Sequence, residues 1–145
     1  MKTRLYRDSD WPALLRMTAT LLHEEHPDDL ADGMRSFLRR DDAALFVAEQ
    51  DGNVVGYIQV AERRYADGCS TSPVGFIEEW FVEAAVRRRG IGQQLVAAAE
   101  QWARSRGISE MASDSLLDNT TSHRAHAKAG YKEVERAVRF RKSIA

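Results

Sequence analysis

The segment FIEEWFVEAAVRRRGIGQQLVAAAEQWARSRG, residues 76–107, constrains this chain more than any other. It opens as an apolar strand. After three arginines and two glycines, Ile91, Leu95, Val96, Ala99 and Trp102 recur at helical spacing until Gly107 closes the pattern. A strand that feeds a glycine-rich helix start belongs to a mixed α/β sheet. The turn itself, Arg87-Arg88-Arg89-Gly90-Ile91-Gly92, suits an anion. Glycine lets the backbone approach a ligand closely, and the first N–H groups of a helix have no partner inside it. Those donors and the helix dipole favour a phosphate, and the arginines add positive charge. The run fits neither the GxxxxGK[ST] nor the GxGxxG pattern. On its own it is also consistent with a helix start built for solubility and turn geometry.

The whole 145-residue sequence reads as one domain, 1–145, of alternating strands and helices. Leu5 and Tyr6 suit a first strand, and Asp8 or Ser9 can cap a helix bearing Leu14, Leu15, Thr18, Leu21 and Leu22. Leu30, Met34, Phe37 and Leu38 mark a second helix. AALFVAEQ and VVGYIQVAERR flank Asp51-Gly52 as a hairpin. PVGFIEEWFV is a strand in which Glu78 and Glu79 interrupt an apolar run; without a bulge the two point to opposite faces. ISEMASD is a short strand, NTTSHRAHAKAG a helix, and YKEVERAVRFRKSI two final strands.

Composition removes several classes. No stretch approaches 18 apolar residues and the N-terminus is charged, which gives neither a membrane span nor a signal peptide and makes the cytoplasm the simplest location. One cysteine, Cys69, and four scattered histidines offer no disulfide and no metal-ligand spacing. Residues 1–82 hold 9 Lys or Arg against 15 Asp or Glu, and residues 83–145 hold 12 against 7. That is no profile for nucleic-acid binding. It is either ordinary surface variation or a domain with one cationic and one anionic ligand.

With its flanks, the arginine-glycine turn resembles the acetyl-CoA-binding core of the GNAT acetyltransferase superfamily, with Arg87, Gly90 and Gly92 in the motif places. Asn119, Ser122, His126, Gly130 and Tyr131 match its second signature, with Ser and His in slots that often hold Ala and Tyr. The resemblance covers nearly the whole chain and implies a GNAT-like, strongly twisted mixed sheet with helices on both faces. HPDDLADG, DGCSTSPVGFIEEWFV, EMASD and NTTSHRAHAKAGYKEVERAVRFRK are similar, more closely, to the aminoglycoside 6'-N-acetyltransferases. That similarity implies acetyl-CoA as donor without a metal, an aminoglycoside 6'-amine as acceptor, and a homodimer. It places an amine-linked acid at Asp114 and a cleft glutamate at Glu78. The chain departs from that pattern at His23, Glu24 and Glu25, where relatives are more apolar.

Acetyl transfer to an amine needs a neutral amine, a stabilised carbonyl oxygen and a departing thiolate. A carboxylate can hold the ammonium and accept its proton. Asp114 ends a short strand, where ligand-facing groups gather, although SD before a loop is also a common helix cap. Glu78 is a second candidate, and either it or Glu79 can instead pair with Arg63 or Arg64. The GNAT resemblance implies strands that splay near Phe81 and Val82, whose backbone N–H groups are then the expected carbonyl donors; the pyrophosphate is expected at Arg88–Gly92 beside Arg87, and Asn119 and Ser122 are expected to orient the cofactor arm. His126 can protonate the thiolate, since imidazole gives up a proton near neutral pH; alternatively His123 and His126 are surface partners. His23, Glu24, Glu25, Glu78, Glu79 and Asp114 are expected to meet the acceptor. A polycationic sugar explains these carboxylates best. The rivals are a GNAT enzyme of a polyamine or protein amine, and a non-catalytic acyl-CoA-binding module.

Overall fold

Five strands form one mixed sheet in the order β1-β2-β3-β4-β5. The computed structural model describes residues 1–22 and 27–145, with residues 27–29 described by backbone alone. The strands are β1 (Lys2–Leu5), β2 (Ala43–Gln50), β3 (Asn53–Arg63), β4 (Val74–Val82) and β5 (Met111–Ser113). The first four run antiparallel, and β5 joins β4 in parallel. The helices are α1 (Trp11–Leu22), α2 (Pro27–Leu38), α3 (Ile91–Ser105) and α4 (Thr120–Lys128). The β2–β3 hairpin turns at Asp51-Gly52, both left-handed at φ 52° and 79°. That geometry matches the twist of the flanking strands.

Alternation sorts the strand side chains onto two faces. Leu45, Val47, Tyr57 and Phe81 pack with Leu14, Met17 and Met34 of α1 and α2. Ala44, Ala48, Ile58, Val60 and Ile77 pack with Ile91, Leu95, Val96 and Ala99 of α3. Helices therefore cover both faces of the sheet. Ahead of α1 the chain is fixed by an ion pair: Arg4 donates two hydrogen bonds to Asp10, at 2.8 and 3.0 Å, and one to Glu49. Among the described residues no helix is long and apolar enough to cross a membrane.

Two sequence expectations need correction. The first helix begins at Trp11 after a 3₁₀ turn at Asp8–Asp10, and Asp10 is the residue that accepts the Arg7 backbone N–H. The tail after Gly130 forms no strand. A strand needs a neighbour to share its N–H and C=O groups, and this tail finds no ladder among the described residues of its own chain. It leaves Val134, Val138, Phe140 and Ile144 exposed, although Val134 also lies against the backbone of Gly68.

Candidate active site

β4 and β5 pair only over Gly75–Ile77 and Met111–Ser113, and β4 then runs on to Val82 without β5 beside it. Two strands that part in this way leave backbone donors along one edge. Phe81 and Val82 lie in the parted stretch, and the Val82 carbonyl is taken by Arg87 Nε at 2.7 Å. The Arg87 guanidinium thus folds back over the strand, 5.6 Å from the Phe81 ring centroid.

The arginine-glycine turn follows at once. Arg88 is left-handed at φ 67° and Gly90 at φ 81°. Such a conformation costs a side-chain-bearing residue strain, so glycine suits position 90. Gly90 caps α3, and the helix's first hydrogen bond runs from the Gln94 N–H to the Gly90 carbonyl. The N–H groups of Ile91, Gly92 and Gln93 come before that bond and have no acceptor within the helix. A Cβ on Gly92 would stand 3.2 Å from Trp80, so this glycine lets the helix start close onto β4. Open donors on a helix terminus, with Arg88 and Arg89 exposed beside them, fit a pyrophosphate.

α4 supplies the other wall. Asn119 caps it, its Oδ1 accepting the Ser122 N–H at 3.1 Å. Asp114 therefore does not cap this helix. His126 is half-buried between Trp80 and Tyr131, with ring centroids 5.2 and 6.1 Å away. Its Nδ1 lies 2.8 Å from the Ser122 carbonyl and 3.2 Å from Ser122 Oγ. A carbonyl only accepts, so Nδ1 carries a hydrogen and Nε2 faces Ser113 Oγ at 2.8 Å. Ser113 is the last residue of β5, at the point where the strands part. His123 instead meets the Leu116 carbonyl from the exposed side.

The carboxylates fall into two groups. Asp114 follows β5, is exposed, and has Arg139 of the tail at 3.6 Å. Glu78 and Glu79 follow Ile77, the β4 partner of Ser113, so they stand on the neighbouring strand, and Arg63, paired with Glu78, also feels the Asp114 charge. Gln59 pairs with Glu79 but Val60 pairs with Ile77, so Glu78 is an extra residue, a β-bulge. Ile77 and Trp80, three apart, consequently share the α3 face. Glu78 and Glu79 both line a cavity of about 310 Å³ formed with Thr18, Leu22, Met34 and Phe37. The opposite-face expectation held only for a strand without a bulge.

Their partners differ. Arg63 donates to both oxygens of Glu78, at 2.9 and 2.6 Å, while its guanidinium stacks 3.5 Å over Phe76. Among the described residues Glu79 has no cation; Tyr57 Oη donates to its Oε1 at 2.8 Å, and Thr18 donates to the same Tyr57 oxygen at 3.0 Å. Burial pushes the Glu79 carboxyl above its ordinary value, against the pull of the Tyr57 hydrogen bond. His23, Glu24 and Glu25 lie outside the described residues. Among the described residues no three His, Cys, Asp or Glu side chains gather to hold a metal ion.

Sequence reasoning missed Ser113, Tyr57, Thr18 and Trp80. Tyr57 and Thr18 read as core positions because their polar ends meet Glu79 only through strand register and helix packing. Trp80 carried no chemical signal, yet it spans from Gly92 to His126, and its Nε1 is enclosed without an acceptor among the described residues.

A family model, the acetyltransferase (GNAT) family, matches residues 9–131. The aminoglycoside N(6')-acetyltransferase type 1 of Salmonella typhimurium is 42% identical over 120 residues, 81% of this chain and 82% of that protein. The aminoglycoside antibiotic 6'-N-acetyltransferase of Acinetobacter haemolyticus superposes with a TM-score of 0.93 at 31% identity, over 100% of both chains. AAC(6')-Iy, solved with the bisubstrate analog CoA-S-monomethyl-acetylneamine, superposes with a TM-score of 0.88 at 36% identity, over 98% of this chain and 97% of its own.

Proposed function

This chain belongs to the GNAT acetyltransferase family, and from that premise we propose that it acts as an aminoglycoside 6'-N-acetyltransferase, an activity that confers antibiotic resistance. The observation that carries the reading is the meeting of an anion-binding helix start and a parted strand edge, with Glu78 on β4 and Asp114 just past β5 beside it. The donor, acetyl-CoA, supplies the acetyl thioester. The N–H groups from Arg88 to Gly92 would hold its pyrophosphate, and Asn119 and Ser122 flank its arm. The Val82 N–H, on the edge away from β3, would stabilise the carbonyl oxygen as it gains charge, whereas the Phe81 N–H faces Tyr57 on β3. Asp114 and Glu78 hold the polycationic acceptor, with His23, Glu24 and Glu25 as further contacts. Asp114, exposed beside Arg139, is better suited to holding charge than to taking a proton in a dry site. His126, through Ser113, returns a proton to the thiolate.

Transfer occurs by direct attack with both substrates bound, in the cytoplasm, where acetyl-CoA is available. The protein is a homodimer. Val134, Val138, Phe140 and Ile144 are exposed at 64, 70, 91 and 91%, and β5 leaves a short edge free beside them. A second copy covers such surfaces. Sedimentation at micromolar concentration is expected to give a dimer; a monomer would refute it.

Thiol release from acetyl-CoA across aminoglycosides, polyamines and peptides tests the activity. Release with aminoglycosides bearing a free 6'-amine, and none when that amine is absent, is the expected result. Faster release with polyamines or peptides would move the assignment to another amine.

A further inference from the structure

The cavity beside the bulge contains polar groups that the roles above leave unused. Tyr57 is fully buried and Thr18 is 2% exposed, so the chain Thr18–Tyr57–Glu79 runs from the core to the cavity wall. Gln59, 4% exposed, lines the same wall, and its Oε1 is enclosed without a donor among the described residues. A buried acceptor left unpaired is costly. The arrangement is explained if a donor arrives with the ligand.

We propose that Glu79, oriented by Tyr57 and Thr18, is the group that takes the proton from the acceptor's ammonium. The inference rests on the acetyltransferase reading. Tyr57 occupies Oε1 and leaves Oε2 for the ammonium. Glu78 is held at both oxygens by Arg63, whereas Glu79 has no cation among the described residues. The wall opposite is Leu22, Leu30, Met34 and Phe37. Against an apolar wall, two neutral partners are favoured over an ammonium and a carboxylate as the proton passes between them. The groups facing Glu79 are Tyr57 from β3 and Glu78, with Arg63 behind it, from β4. The described cavity residues of α1 and α2 carry no charge.

The balance is simple. One N–H bond of the ammonium breaks, its proton goes to Glu79 Oε2 and then to solvent, and its electron pair stays on nitrogen. That pair forms the N–C bond to the acetyl carbon, and the C–S bond breaks with its electrons on sulfur. The second proton lost by nitrogen ends on the thiolate.

Steady-state kinetics between pH 6 and 9, with an aminoglycoside that the wild type acetylates, test this. In Glu79→Gln, kcat should fall about 10²-fold, and the wild-type inflection should disappear, so that rate climbs with the free-amine fraction. The KM for acetyl-CoA should not move. In Tyr57→Phe the inflection should shift upward by about one pH unit, because a donor that favours the carboxylate is gone. A Tyr57 that only supports folding would lower kcat without moving it. Glu79→Asp, which keeps the charge and should fold if Gln does not, is expected to keep the inflection at a kcat about tenfold lower. Wild-type kcat and inflection in either Glu79 variant would overturn the proposal. If the wild type acetylates no aminoglycoside, the proposed function fails instead.

Discussion

Glu78 and Glu79 are consecutive on β4, yet both line one cavity, because Glu78 is the extra residue of a bulge. The bulge separates their environments as well as uniting their direction. Arg63 pairs with one, while the other is buried against Tyr57. Two carboxylates given different surroundings can serve different tasks, one holding charge and one moving a proton.

This difference should appear in stability. A carboxyl raised by burial binds its proton more tightly in the folded chain than in the unfolded one. Its stabilising share is complete below the unfolded value and is lost as pH rises through the folded value. Glu79→Gln is therefore expected to raise Tm at pH 8, by roughly 2–4 °C for each kcal/mol relieved, and to leave it unchanged near pH 4. Thermal melts at the two pH values check it. An equal gain at both would mean that desolvated charge is not what Glu79 costs.

At the donor loop, Gly90→Val forces a β-branched residue to φ 81°. No neighbour would touch its Cβ, so the cost is backbone strain of about 1–3 kcal/mol. Relief of that strain moves the N–H groups before Gln94. Acetyl-CoA binding by calorimetry should weaken tenfold or more while the chain stays folded. Unchanged affinity would detach the pyrophosphate from this turn.

How much of this was legible in the sequence differs by element. The α3 start could be read because its glycines, arginines and helical repeat are local, and the hairpin because Asp51-Gly52 sets its own turn. The bulge could not: Glu78 and Glu79 look the same in any register until Gln59 and Val60 choose their partners. Asp114 was legible as the end of a short strand, whereas its neighbour Ser113 shows a role only once His126 packs across from it. The tail alternates like a strand, but a strand also requires a neighbour, which the sequence of one chain does not supply.

Asp10 anchors the N-terminus and should make folding acid-sensitive. The Arg4 guanidinium, and then the Arg7 N–H, hold its carboxyl below the ordinary value. Stability from a depressed carboxyl is present above the unfolded value and is lost as pH falls through the folded one. Asp10→Asn should cost about 3 kcal/mol at pH 7 by leaving Arg4 half-paired. The gap to wild type should narrow below about pH 4. Denaturant melts that kept a constant gap would place the effect in packing.

Asp114 and Glu78 should affect binding more than turnover. Asp114→Asn and Glu78→Gln are expected to raise the aminoglycoside KM about tenfold, with kcat near normal. A fall of about 10²-fold in kcat for Asp114→Asn, with its pH inflection gone, would return the proton to Asp114 and displace Glu79.

The last prediction concerns the two residues that close the other side of the reaction. With Nδ1 committed to the Ser122 carbonyl, His126 can reach the cleft only through Nε2, and Ser113 Oγ stands 2.8 Å from it. A protonated imidazole donates from Nε2 to Ser113 Oγ, and the serine hydroxyl hydrogen can pass to the thiolate, so the proton moves without either side chain turning. The two residues then act as one unit, and such units are not additive. His126→Asn and Ser113→Ala should each lower kcat about tenfold or more, and the double variant should be no slower than the worse single. Both should leave the KM for acetyl-CoA and for the aminoglycoside near the wild-type value. A donor whose thiolate needs no protonation, such as an acetyl thioester with an acidic thiol, should restore much of the loss. If Ser113→Ala keeps the wild-type kcat while His126→Asn loses it, water fills the gap and the serine only seats the ring. If both variants keep the wild-type kcat, His126 is a packing residue between Trp80 and Tyr131 and the thiolate takes its proton from solvent.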